Sequence, residues 1–112
     1  MEQNEEMVGR IRALNDRLRC TGAGGTIVVT PGIIGLGADA MARIVRAVAA
    51  FKDFTEDNDP HGEHDCASLT IEGVNVLWKI DYYDLNREYH SPDAADPSVT
   101  ARVLTIMCAE EY

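Results

Sequence analysis

Ala67-Ser68-Leu69-Thr70-Ile71-Glu72-Gly73-Val74-Asn75-Val76-Leu77-Trp78-Lys79-Ile80-Asp81-Tyr82-Tyr83 is a pair of β-branched and aromatic runs joined by Glu-Gly. A two-residue joint ending in Gly between such runs reads as a β-hairpin, with strands over 67–71 and 74–83. In the second strand Val74, Val76, Trp78, Ile80 and Tyr82 share one face, and Asn75, Leu77, Lys79, Asp81 and Tyr83 share the other. Downstream, 84–97 is a loop carrying Pro92 and Pro97. Asp96-Pro97 is a good helix start, whereas Val103-Leu104-Thr105-Ile106-Met107 favours a strand over a helix. The chain is expected to make one helical turn at 97–101 and a strand at 102–109.

Upstream of the hairpin, 53–66 is polar and rich in turn residues. Before it, Met41, Ile44, Val45, Val48 and Phe51 step at helical spacing and predict a helix over 39–51, capped by Asp39 or a neighbour. Thr26-Ile27-Val28-Val29-Thr30 predicts a buried strand that stops at Pro31-Gly32, with Gly35-Leu36-Gly37 as a further loop. Met7, Ile11, Leu14 and Leu18 predict a helix over 5–20, with Asn4 as its cap and Gly22 beyond its end. That stripe is simplest as core, although its spacing also permits a homodimer seam. The order α-β-α-β-β-β defines an α+β fold: two helices packed on a small, mostly antiparallel sheet, in a single domain over 1–112 with 1–4 disordered.

The chain has 112 residues, enough for about two-thirds of its surface to be buried on folding. Its 46% apolar content is that of a globular protein. The net charge is −9 and unevenly spread: 1–52 carries +2, and 53–112 carries −11 from fourteen acids and three bases. This argues against direct contact with nucleic-acid phosphates or with an anionic membrane. The longest apolar runs, 27–29 and 47–51, are far short of a membrane span, and the acidic N-terminus is unlike a signal peptide. Three widely spaced cysteines, Cys20, Cys66 and Cys108, suit a reducing cytoplasm.

Two segments hold most of the side chains capable of chemistry. In Asp57-Asn58-Asp59-Pro60-His61-Gly62-Glu63-His64-Asp65-Cys66, the residues Asp59, His61, Glu63, His64 and Asp65 have the ligand types of a divalent metal site such as Zn²⁺. His61-x-Glu63 is half of a zinc-deaminase signature, but the Pro-Cys-x-x-Cys half is missing, and the spacing of acids does not fit an EF-hand. The structural alternative is a tight turn built by Asn-Asp-Pro and closed by Gly62. Cys66 beside His64 has nothing to orient a base and reads as an ordinary free thiol. Gly32-x-x-Gly35-x-Gly37 precedes a helix but lacks the Gly-Lys-Ser/Thr of a phosphate loop, so these glycines read as turn and packing residues.

The second segment is the end of the hairpin, Asp81, Tyr83 and Asp84, which Glu110, Glu111 and Tyr112 join if the last strand pairs there. Tyrosines among acids suit a protein interface, with contact area from the rings and steering of a basic partner by the carboxylates. Two of these carboxylates could also act as acid and base, and the bland reading is a solvated strand end.

Asn58 to Asp65, Trp78 to Asp84, Ser91-Pro92-Asp93, Asp96-Pro97, Arg102 to Met107 and Glu110-Glu111-Tyr112 together resemble a small bacterial family, a domain of unknown function often carried on plasmids and other mobile elements. Ile11 to Arg19 and Thr30-Pro31-Gly32 match as well. The chain departs at Cys66-Ala67, where the family has an aromatic residue followed by Gly, so Cys66 is not a family-wide ligand. The resemblance implies a cytoplasmic bacterial or phage protein and supplies no activity.

Two functions follow as expectations. The first is a non-enzymatic acidic module that binds a protein with a basic surface, with a nucleic-acid-handling complex as partner class, in the manner of an anti-CRISPR or anti-restriction inhibitor mimicking phosphates. It needs no cofactor. The second is a metal-binding domain or metal-dependent hydrolase using Asp59, His61, Glu63, His64 and Asp65.

Overall fold

The computed structural model describes residues 2–112. Helix α1 spans Glu2–Thr21, strand β1 Thr26–Val29, helix α2 Pro31–Ile34 and helix α3 Ala38–Ala50. Strands β2 (Cys66–Ile71), β3 (Val74–Tyr83) and β4 (Ala101–Cys108) follow, with single 3-10 turns at Pro97–Val99 and Ala109–Glu111. The four strands form one sheet in the order β1-β4-β3-β2. β1 runs parallel to β4, while β2–β3 and β3–β4 are antiparallel. The architecture is the expected α+β domain.

The hairpin forms because Glu72 and Gly73 both adopt positive φ, 57° and 72°. This backbone matches the right-handed twist of the two strands it joins. Alternation then turns Val76, Trp78 and Ile80 inward, where all three are buried. They meet Leu104 and Ile106 of β4, Leu18 of α1, Ile33 of α2, and Ile44 and Val48 of α3. All three helices therefore contribute to one face of the sheet. The residues directed to the other face include Val28, Lys79, Asp81 and Thr105.

Several boundaries differ from the sequence reading. α1 starts at Glu2, so Asn4 lies inside the helix rather than capping it. Of the 1–4 stretch expected to be disordered, Met1 lies outside the described residues. The α1 stripe is used as core from Ile11 onward: Ile11 and Leu18 are buried, whereas Met7 is 43% exposed. Gly22 (φ 79°) closes the helix, its N–H donating to the Leu18 carbonyl. Pro31 starts a full helical turn where only a strand end and loop were expected; the turn drives Ile33 into the core. α3 begins after Gly37, and Asp39 sits in its first turn. The final strand is a strand, one residue earlier than expected, and its last residue passes into the closing 3-10 turn. Gly25 admits no side chain, because a Cβ there would overlap the Arg102 backbone carbonyl as the chain enters the sheet.

Candidate functional site: an acid- and tyrosine-lined cleft

The 53–66 loop is built by its own turn chemistry. Thr55 and Asn58 bond each other's backbone amides reciprocally, at 3.2 and 2.7 Å. Asp59, 8% exposed, receives the His64 backbone N–H on both carboxylate oxygens, which holds His64 at φ 53°. The His64 ring stacks on Phe54 at 3.7 Å, with its Nδ1 2.9 Å from Asp16 Oδ1 of α1. Gly62, at φ 70°, gives its carbonyl to Arg12 Nε at 2.6 Å.

Glu63 points the opposite way from His64, into a buried polar network. Tyr82 donates to Glu63 Oε1 at 2.8 Å. Asn15, fully buried, donates to Tyr82 Oη and to the Glu63 carbonyl, and accepts from Arg102 Nε at 2.7 Å. Arg102 lies over the Tyr82 ring and also donates to the Ala94 carbonyl. Burial pushes the Tyr82 phenol up and the Arg102 guanidinium down.

The five loop residues named as metal ligands are thus dispersed. Asp59 caps the loop, Glu63 joins the buried network, His64 faces α1, His61 is exposed beside Arg12, and Asp65 faces β3. Among the described residues no three His, Cys, Asp or Glu side chains are placed to hold a metal ion. Burial and the Asp65 charge push the Cys66 thiol up, away from a reactive thiolate.

Asp65 leads to the other feature. β2 begins at Cys66 opposite Lys79, so the β2-side edge of β3 has no β2 partner beyond Ile80, whose N–H donates to the Asp65 carbonyl. The 84–90 loop folds back there: Tyr83 bridges to His90, and Ser91 N–H bonds the Tyr82 carbonyl. Between these two closures is a cleft of about 350 Å³ lined by Asp65, Asp81, Glu88, Tyr83, Tyr89 and His90. Tyr89 is 72% exposed. Asp65 is half-buried and makes no ion pair among the described residues. Burial, with the neighbouring Glu63 and Asp59 charges, raises its pKa.

The residues expected at a partner surface divide between two ends of the sheet. Asp81 pairs with Val103 and Val76 with Cys108, five residues apart, so the end of β4 from which Glu110 and Glu111 follow lies about 17 Å along the strand from Asp81. Register therefore sets the Glu110 and Glu111 carboxylates apart from Asp81, although β4 does pair with β3. Asp81 and Tyr83 line the cleft, with Asp81 3.0 Å from Lys79 Nζ. Asp84 accepts the Glu88 N–H and shapes the loop. Glu111 is a clamp: it accepts from Thr30 Oγ1 at 2.7 Å, Gly32 N at 3.0 Å and Cys108 N at 2.8 Å. Glu110 and Tyr112 are exposed. Tyr112 acts with Tyr83 on the Lys79 ammonium, whose pKa is raised chiefly by its bond to Asp81. Glu88, Tyr89 and His90 had no signal in the sequence, being loop residues until the 84–90 turn folds against β3.

These features define an α+β domain with a helix-covered sheet face and an acidic cleft on a strand edge. The chain belongs to a family described as protein of unknown function DUF3768, whose model matches residues 29–111. That span holds the whole cleft and the Glu111 clamp. No curated protein and no solved structure matches the chain. Among the described residues no helix is long and apolar enough to cross a membrane.

Proposed function

We propose that this protein is an acidic protein-binding module whose cleft receives a cationic side chain, Arg or Lys, from a basic partner. The observation that carries the reading is Asp65: a half-buried carboxylate that feels the Glu63 and Asp59 charges, lines an open cleft with Asp81 and Glu88 and makes no ion pair among the described residues. A guanidinium there would meet acids for its fork of donors and the Tyr83 and Tyr89 rings for its faces. The −11 on residues 53–112 adds long-range attraction. A complex that handles nucleic acid fits as partner, because its phosphate-binding Lys and Arg groups accept carboxylates in the same way. Inhibition of such a complex, in the bacterial mobile-element setting that the motifs suggest, is the biological role we infer.

The test uses a labelled arginine-rich peptide and anisotropy. Wild type binds, with affinity falling as salt rises. The variant Asp65→Asn/Asp81→Asn/Glu88→Gln weakens binding about tenfold or more, as expected for loss of several charge-assisted contacts. A control triple, Asp53→Asn/Glu56→Gln/Asp57→Asn, removes the same charge from an exposed loop elsewhere and leaves affinity nearly unchanged. Equal weakening by both triples would reduce the effect to net charge and sink the cleft.

A further inference from the structure

We propose that the open edge of β1 pairs with the same edge of a second copy, antiparallel about a two-fold axis normal to the sheet, to give one continuous eight-stranded sheet. The backbone supplies the reason. Thr30 donates its N–H to the Ile106 carbonyl on β4. Alternation along the strand therefore turns the N–H and C=O of Ile27 and Val29 away from β4. Among the described residues these four groups have no protein partner. An axis through Val28 sets Ile27 opposite Val29 of the second copy, and Val29 opposite its Ile27. Each outward N–H then meets an outward C=O, four bonds in all, and none of the groups is left over. Shifting the axis to Ile27 pairs Ile27 with itself and leaves Val29 facing the connector at Gly25.

The side chains agree with that register. Ile27 and Val29 lie on the helix side of the sheet, so they become cross-strand neighbours, as do the two Val28 side chains on the other side. Ile27 is 36% and Val28 41% exposed, large values for β-branched residues in a strand. Charge selects this edge and this occupant. Residues 20–38 contain no charged residue at all, in a chain of net charge −9. Among the described residues, two charged side chains reach the region through hydrogen bonds: Glu111, held by Thr30, Gly32 and Cys108, and Arg87, which donates to Thr26 Oγ1. A second copy is repelled by the acidic half and meets at β1 strand residues that carry no charge of their own. The opposite edge, β2, is flanked by Asp65 and Glu72 and shows Ser68 and Thr70 to solvent, the charged and polar pattern that blocks edge pairing. A basic partner, conversely, meets the Arg87 guanidinium, which donates to Thr26 Oγ1 at 3.1 Å, and a Glu111 carboxylate already held. The inference does not depend on the cleft.

Two measurements test it. Sedimentation equilibrium of the full chain should show a monomer–dimer equilibrium. Val28→Lys, which sets two ammonium groups against each other at the axis, should raise the dissociation constant at least about tenfold, and Val28→Thr should retain the dimer. Amide exchange of the wild type requires no variant: Ile27 and Val29 exchange fast when dilute and become protected as concentration rises, whereas Val28, already bonded to β4, is slow throughout. A wild type that stays monomeric, a dimer that survives Val28→Lys with fast Ile27 and Val29 amides, or protection confined to α1 overturns the proposal.

Discussion

Asp65 and Asn15 show opposite ways in which a polar side chain is held inside this fold. Asp65 is destabilised as an anion by burial and by the Glu63 and Asp59 charges. Its folded pKa lies above the unfolded value of about 3.9, so the native state binds the proton more tightly. The cost of its charge is absent below the unfolded pKa, grows between the two values, and is complete above the folded one. Asp65→Asn should therefore raise the melting temperature at pH 7, with the gain fading as pH falls through that window. The same substitution should weaken the arginine-rich peptide. Stabilisation together with lost binding is the signature of a residue kept for a ligand; loss of stability at neutral pH would argue instead for a structural role. Asn15 is the reverse case, with every polar atom engaged by Tyr82, Glu63 or Arg102. Asn15→Ala leaves the buried Arg102 Nε without its acceptor, so chemical denaturation should show a loss of about 2–4 kcal/mol.

Between elements, the closing 3-10 turn and the start of α2 are joined by one carboxylate. Gly32 lies so close to Glu111 that an added Cβ would overlap the carboxylate. Because that carboxylate is the mobile end of a side chain, Gly32→Ala should displace it and so break its bonds to Thr30 and Gly32. The melting temperature should fall by about 4–8 °C. Glu111→Gln should fall similarly, and the double variant should be little worse than either single one, since both remove the same clamp. The bond from the Thr30 hydroxyl, then that from Cys108 N–H, hold the Glu111 carboxyl below its ordinary pKa. Its stabilisation is complete above the unfolded value of about 4.3 and is lost as pH falls through the lower folded value. The difference between wild type and Glu111→Gln should thus be present at pH 7 and shrink below about pH 4.

For the whole molecule, net charge opposes compactness while helping recognition. Raising salt from about 10 mM to about 150 mM shortens the screening length to about 8 Å. The melting temperature should rise, because self-repulsion among the acids of residues 53–112 is relieved, while affinity for a cationic peptide falls. A thermal scan and a binding isotherm in the same two buffers would show these opposite trends; a melting temperature that fell with salt would mean that attractive pairs such as Lys79–Asp81 outweigh the repulsion.

Local chemistry alone determined the hairpin, a strand at 26–29 and the two long helices, since each depends on residues within a few positions of one another: Glu72-Gly73 for the turn, the Met41-to-Phe51 spacing for α3, the β-branched run for β1. The burial expected of β1 did not follow, because it lies at the sheet edge with Ile27 and Val28 exposed. The charge asymmetry was also complete in the sequence. Tertiary structure decided what the polar residues do. Asn15 meets Tyr82 across 67 positions and Glu111 meets Thr30 across 81. No local pattern encodes such meetings, because they follow from sheet order and register. Register is also what separated Glu110 and Glu111 from Asp81, and folding dispersed the ligand types of 59–65 over different surroundings and placed Asp65 beside Tyr89. Side-chain type sets what a residue can bind; only the packing of strand against strand sets what it faces.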